Sequence, residues 1–227
     1  MSARERIVLA VDVGGSHVKA LTSKESERRR FKSGHSLTAE EMVSGVLEAV
    51  DGWEWDVVSV GVPSPVRHGK VVAEPVNLGR GWVGFDYEGA LGKPTKLVND
   101  AVMQAVGSYE GGRMLFLGLG TGLGSALIAD GVIEPLELGH LPFRKKTFED
   151  YVSEHALKKV GRKKWQQAVF ETVAQLTAAT EPDEVVLGGG GVDELDKLPP
   201  GCRRGANENA FLGGFRLWDP DWSSQLA

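Results

Sequence analysis

Two apolar strands that each run into a glycine turn and out again, about a hundred residues apart, narrow the folds open to this chain more than any other feature. Ile7 to Val13 has the continuous apolar character of a buried strand, Gly14 and Gly15 break it, and His17 to Thr22 resumes as a hairpin partner. The design returns at Leu115 to Leu119, where Gly120-Thr121-Gly122-Leu123-Gly124 forms the turn and Ser125 to Ala129 leaves it. A repeated unit of this kind predicts a duplicated α/β fold with one sheet in each half.

The segments between and after the hairpins suit that arrangement. Thr38 and Glu41 have capping-box spacing ahead of a helix to Val50 with Met42, Val46, Leu47 and Val50 on one face. Val57 to Val62 and Lys96 to Val98 are expected to return as strands to the first sheet, and the Gly- and Pro-rich stretch from Pro63 to Gly92 to hold loops and a short strand at Lys70 to Ala73. Beyond the second hairpin, Phe148 to Val160 and Arg162 to Ala179 are expected as helices, the latter with Trp165, Val169, Val173 and Leu176 on one stripe. Glu184 to Leu187 is expected as a buried strand running into Gly188-Gly189-Gly190-Gly191. No low-complexity linker intervenes, so the predicted domains are 1–103 and 104–227, with a final helix over about 206–218 that can pack back on the first.

Composition removes several function classes. Hydrophobic residues make up 41% and charged residues 25% of the 227, the balance of a folded globular protein. A net charge of -5 lacks the Lys and Arg surplus that phosphate neutralisation requires, so no nucleic-acid partner is expected. The single cysteine, Cys202, permits no internal disulfide, and M-S-A-R-E-R at the start offers no apolar leader or membrane span. A cytoplasmic protein that binds no membrane is the expectation.

Chemistry is expected at the strand ends. Asp12 places a carboxylate at the end of a strand, and Gly14, Gly15 and Ser16 follow it with backbone that an anion can approach closely. The second turn repeats this with Gly120, Thr121 and Gly122, the threonine adding a hydroxyl. Either turn alone is also what a structural hairpin needs, and Asn99 and Asp100 also suit the cap of a helix starting at Ala101. Basic runs at Arg28 to Arg30, Arg144 to Lys146, Arg162 to Lys164 and Arg203-Arg204 are either solvated faces or guides for a polyanion.

Taken in order, the Asp12-Val13-Gly14-Gly15-Ser16 turn, Asn99-Asp100, Gly118 to Ser125, Glu137-Leu138-Gly139-His140 and the glycine run at 188–191 resemble the ROK sugar kinases, from about Ile7 to Trp218. Asn77-Leu78 and Trp82 are similar to the polyphosphate-using glucokinase branch of that family. The resemblance implies the actin-like ATPase (ribonuclease H-like) duplicated fold, two lobes around a cleft, and an enzyme that moves a phosphoryl group from ATP or polyphosphate to a hexose. It implies Asp100 as general base, with Asn99 bonding a neighbouring sugar hydroxyl and Glu137, His140 and Glu149 bonding others. It further implies that Asp12 positions metal-bound phosphate through Mg2+, that Gly120, Thr121 and Gly122 hold donor phosphates, and that Gly189 and Gly190 line the nucleoside side.

Three departures from the family accompany this. The Cys-rich zinc motif of many members is missing, so no structural metal is expected. Pro63-Ser64-Pro65 stands where the family places Pro-Gly, so Ser64 is expected to reshape the sugar pocket. The chain is also shorter than most relatives, with spare segments after His140, so donor or oligomer contacts that differ from the family's are expected, a homodimer among the options. A non-catalytic sugar sensor of the same fold is the alternative reading. The family's repressors carry a DNA-binding segment ahead of the first strand, and only six residues precede Ile7 here, which argues against a repressor.

Overall fold

The computed structural model describes residues 6–206 and 208–223. Residues 1–5, on which the expectation of a leaderless start partly rests, lie outside them, as does Asn207 within the expected last helix. The described chain divides into two compact units, one running to Gly107 and resuming at Ala210, the other spanning Ser108–Asn209.

In the first unit, β1 (Val8–Val13) and β2 (His17–Thr22) form the expected hairpin, and β3 (Arg29–Lys32) extends it. β4 (Val57–Val62) lies parallel to β1, and β7 (Thr95–Asn99) parallel to β4, giving the order β3-β2-β1-β4-β7. β1 and β4 are buried along their whole length, as central strands covered on both faces must be, whereas β2 alternates. β5 (Val66–Arg67) and β6 (Lys70–Val71) make a separate small hairpin. Helix α1 (Ala39–Ala49) starts on the predicted capping box, Thr38 Oγ1 accepting from Glu41 N–H and the Glu41 carboxylate accepting from Thr38 N–H.

The core of this unit joins Leu9, Val11, Val58 and Val60 of the sheet to Met42, Val43 and Val46 of α1. Trp82 is fully buried in it, with its indole N–H donated to Leu37 O at 3.3 Å. Helix α2 (Tyr87–Leu91) adds Tyr87, whose hydroxyl donates to Trp82 O. Helix α3 (Asp100–Ser108) follows β7 directly. After the second unit, α7 (Asn209–Arg216) and α8 (Pro220–Ser223) close the chain. α7 is shorter than the expected 206–218 helix, and it is fastened to the first sheet by Ser59 Oγ donating to Gly214 O at 2.7 Å.

The second unit repeats the topology. β8 (Arg113–Leu119), β9 (Leu123–Ala129) and β10 (Val132–Leu136) form an antiparallel meander, and β13 (Glu184–Gly188) and β14 (Cys202–Arg204) add parallel strands, in the order β10-β9-β8-β13-β14. Both sheets therefore share one plan, three antiparallel strands continued by two parallel ones. That is the duplicated α/β arrangement the paired turns predicted. A small hairpin of β11 (Pro142–Phe143) and β12 (Lys146–Thr147) precedes the helices.

The predicted helix over 148–160 is two helices, α4 (Glu149–Val152) and α5 (Glu154–Val160). Ser153 breaks them because its backbone is extended (φ -68°, ψ 163°) while its hydroxyl accepts from Ala156 N–H, the posture of an N-cap. Helix α6 (Arg162–Thr180) carries the predicted stripe, with Trp165, Val169, Val173 and Leu176 all buried against Leu115, Leu117 and Val185 of the sheet core.

Candidate active site

The first turn is built by the pairing of β1 with β2. Asp12 and Lys19 are register partners equidistant from the turn, and the Lys19 ammonium donates to Asp12 Oδ2 at 2.9 Å. The Asp12 side chain is only 10% exposed, so the carboxylate has little access to water and a cross-strand cation beside it. Gly14 N–H closes the turn onto His17 O at 3.0 Å, and Ser33 Oγ braces it by donating to Gly14 O at 2.6 Å. Gly15 and Ser16 sit at the tip, the serine exposed. Lys19 was not among the sequence candidates, although equal spacing of Asp12 and Lys19 from the Gly15-Ser16 centre was available to find it.

Asn99 ends β7 and Asp100 opens α3 one residue earlier than expected. Asn99 Oδ1 accepts from Ala101 N–H at 2.9 Å, the bond from cap to second helical residue. Asn99 Nδ2 donates to Ser64 O at 3.3 Å. Asn99 thus takes a capping position, and its side chain has one further amide N–H and one further lone pair. Asp100 Oδ1 also accepts from Ala101 N–H at 2.9 Å. Ser64 is buried, with its hydroxyl donated to Ala73 O, so it bears on this group through the carbonyl that orients Asn99.

In the second unit, Glu137, His140 and Glu149 come together as expected. His140 Nδ1 lies 4.0 Å from Glu137 Oε2, and His140 Nε2 lies 3.8 Å from Glu149 Oε1. Glu137 and His140 belong to one tight turn, in which Leu138–His140 forms a single 3-10 turn, and Glu149 opens α4. Burial raises the Glu137 carboxyl above its usual range; the His140 imidazole works against that shift and the Glu149 carboxylate adds to it. Buried Ser125 holds the segment on both sides of Glu137, donating to Leu136 O at 2.9 Å and accepting from Leu138 N–H at 3.0 Å.

The second turn closes with Gly120 N–H donated to Gly122 O at 3.1 Å, and Thr121 is exposed at its tip. Glu149 reaches this turn, its Oε2 accepting from Leu123 N–H at 3.3 Å. Of the third glycine run, Gly189 has a left-handed φ of 80°, and a β-carbon there would collide with Leu119 O, so close approach of β13 to β8 accounts for it. Gly190 opens a 3-10 turn (Gly190–Glu194) and has open space where a side chain would stand.

The basic runs are largely engaged in structure. Arg29 donates to Ala49 O and Asp51 O and stacks on Trp53; Arg144 pairs with Glu171, Arg162 with Asp196, Arg203 with Glu184 and Arg204 with Asp193. Among the described residues, no group of three or more His, Cys, Asp or Glu side chains is placed to hold a metal ion, and no helix is long and apolar enough to cross a membrane.

No family model matches the chain. A polyphosphate glucokinase of Mycobacterium tuberculosis is 27% identical over 218 residues, covering 86% of this chain and 82% of that protein. The inorganic polyphosphate/ATP-glucomannokinase from Arthrobacter sp. strain KM superposes with a TM-score of 0.82 over 93% of this chain and 97% of its own, at 23% identity. A ROK family glucokinase from Streptomyces griseus, in complex with glucose and AMPPNP, gives a TM-score of 0.76 at 17% identity, covering 93% and 98%. The chain is thus similar in sequence to polyphosphate glucokinases and shares its fold with kinases of the ROK family.

The site residues that the ROK resemblance implies fall into two groups. Asp12, Gly14, Gly15, Ser16, Ser64, Asn99 and Asp100 lie in the first unit; Gly120, Thr121, Gly122, Glu137, His140, Glu149, Gly189 and Gly190 lie in the second. Within the first, Ser64, Asn99 and Asp100 form one connected set; within the second, Glu137, His140, Glu149 and the Gly120–Gly124 turn form another. Lys19 is an addition to both the sequence reading and the resemblance, and Ser125, there only the end of the Gly118 to Ser125 motif, gains a structural role.

Proposed function

We propose that this chain is a hexose kinase that transfers a phosphoryl group from ATP or polyphosphate to a sugar hydroxyl, with Asp100 as general base. The observation that supports the reading is the placement of Asp100 at the first residue of α3, next to Asn99, with one oxygen of each side chain accepting from Ala101 N–H. A carboxylate touching the attacking hydroxyl is the minimal catalytic part in phosphoryl transfer, where the protein mainly positions groups and stabilises charge. The hydroxyl proton passes to an Asp100 oxygen as the sugar oxygen bonds to phosphorus. The bond from phosphorus to the donor's bridging oxygen breaks, and the shortened donor leaves with the electron pair.

Glu137 and Glu149 supply acceptors, and His140 either a donor or an acceptor, for neighbouring sugar hydroxyls. Asn99 contributes its remaining amide N–H. On the donor side, Lys19 and the Gly15-Ser16 tip offer positive charge and backbone N–H groups to phosphate. Magnesium fits the residues present as an ion brought in with the donor: Asp12 is a single carboxylate, and Mg2+ is commonly held by one or two carboxylates plus substrate phosphates. When bound it neutralises charge on the donor phosphates.

The test is a screen of hexoses against ATP and polyphosphate, followed by Asp100→Asn. Turnover is expected to fall about 100-fold to 10,000-fold with hexose affinity retained. A native protein that binds hexose and transfers no phosphate from either donor would be a sensor instead.

A further inference from the structure

We propose that the second glycine turn acts on the sugar, with Gly122 as a positioning residue for Glu149 and Ser125 as one for Glu137. The inference rests on the reading of Glu137, His140 and Glu149 as sugar ligands.

Two glycines of this turn differ in what surrounds them. A β-carbon at Gly120 would meet nothing within 4 Å. At Gly122 it would collide with the Glu149 Oε2 carboxylate oxygen, which occupies the side-chain space. Gly122 is not among the glycines with positive φ, so the backbone there suits any residue. What a side chain at Gly122 would meet is therefore the carboxylate end of Glu149, which would have to move.

The electrostatics point the same way. With Oε2 lying against Gly122 and accepting from Leu123 N–H, that side of the turn is negative and acceptor-rich. A donor phosphate approaching it would meet like charge, whereas a neutral sugar hydroxyl would meet an acceptor.

The strand leaving the turn carries the rest of the scaffold. Leu123 O lies where a β-carbon on Gly139 would be, at 2.8 Å, so the Glu137–His140 segment packs directly on β9. Two residues later, Ser125 bonds the backbone on either side of Glu137. The residues from Gly122 to Ser125 thus touch Glu149, the segment that carries His140, and the backbone flanking Glu137. A glycine turn that resembles a phosphate loop from its sequence is also the frame on which three hydroxyl-binding side chains are set.

The experiment compares native protein with Gly122→Ala, Ser125→Ala, Glu149→Ala and the Gly122→Ala/Glu149→Ala double variant. Hexose affinity is measured by calorimetry without donor, KM for each substrate by coupled assay, and thermal midpoint alongside. In Gly122→Ala the added methyl displaces the mobile end of Glu149, so hexose Kd and KM are expected to rise about 10-fold to 100-fold, as for loss of a charged hydrogen bond. Donor KM is expected to stay within about twofold, and in the Glu149→Ala background the same substitution should change hexose affinity by no more than about twofold. Ser125→Ala should show the same hexose-selective pattern, and it carries the test if Gly122→Ala does not fold. A raised donor KM with unchanged hexose affinity, or full additivity in the double variant, would overturn the inference while leaving the kinase reading standing. A native chain that neither binds nor phosphorylates any hexose would overturn the kinase reading, and this inference with it.

Discussion

The ammonium of Lys19 stands 2.9 Å from the carboxylate of Asp12, across the two strands that form the first glycine turn. The acid is nearly buried and the lysine about a third exposed, at 10% and 35%. Removing the cation leaves a poorly solvated carboxylate without its partner, which is more damaging than never having had the pair. Lys19→Met is expected to destabilise the protein by about 1 to 2 kcal/mol, toward the low end because the lysine is partly solvated. Donor KM should rise while hexose affinity holds. Thermal denaturation and a two-substrate kinetic series check both, and an unchanged donor KM would remove Lys19 from the donor side.

Asn99 and Asp100 separate stability from chemistry. Asn99→Ala removes the cap bond to Ala101 and the bond to Ser64 O, and should lower stability by about 1 to 2 kcal/mol. Asp100→Asn should leave the thermal midpoint nearly unchanged while turnover collapses. If instead Asp100→Asn unfolds the protein and Asn99→Ala does not, the cap has been assigned to the wrong residue.

These two neighbours also show how far the sequence could be read. Asn99-Asp100 was visible as a helix start, but only the folded structure shows that both side chains reach Ala101 N–H and that Asn99 also bonds Ser64 O. Elements announced by local pattern are where they were expected: the glycine hairpins, the Thr38 capping box and the α6 stripe. Three of the four strands at the edges of the two five-stranded sheets were missed. β3 is Arg-Arg-Phe-Lys, β10 contains Pro135 and β14 contains two arginines, because an edge strand pairs on one side only and tolerates charge and proline. Ser125 was visible only as the end of a glycine motif; its two bonds join segments that sequence spacing does not bring together.

Ser64 is expected to act through packing. Its hydroxyl is donated to Ala73 O and its carbonyl accepts from Asn99, so Ser64→Ala frees the 64–73 loop at one point and should lower stability by about 1 kcal/mol. Ser64→Gly adds backbone freedom to that loss and should be the less stable of the two. Melting curves rank the variants. Equal stability of Ser64→Ala and native protein would mean that the bond to Ala73 contributes nothing.

Glu137 gives the site a pH signature whose sign is fixed by its surroundings. Burial, the largest cause, raises its carboxyl, the His140 imidazole lowers it, and the nearby Glu149 carboxylate raises it, with a net upward direction. An acid whose folded-state pKa is raised binds more protons folded than unfolded across the interval between the two values. Its contribution to stability is therefore fully present below the ordinary glutamate range and is lost as pH rises through the raised value. Glu137→Gln holds the side chain in a neutral form of the same shape, so the variant should match native protein at low pH and exceed it in thermal midpoint above the interval. The side chain is half exposed, so solvent screening keeps the gain below about 1 kcal/mol. The amide that replaces the carboxylate can still donate or accept one hydrogen bond to a sugar hydroxyl but carries no charge, so hexose affinity should fall most where native Glu137 is ionised. Midpoints and affinities of both proteins from about pH 4 to 8 test this, taking the range in which acids and histidine titrate. A difference in midpoint that does not vary with pH would show that burial does not press on this carboxylate and that Glu137 behaves as an ordinary surface acid.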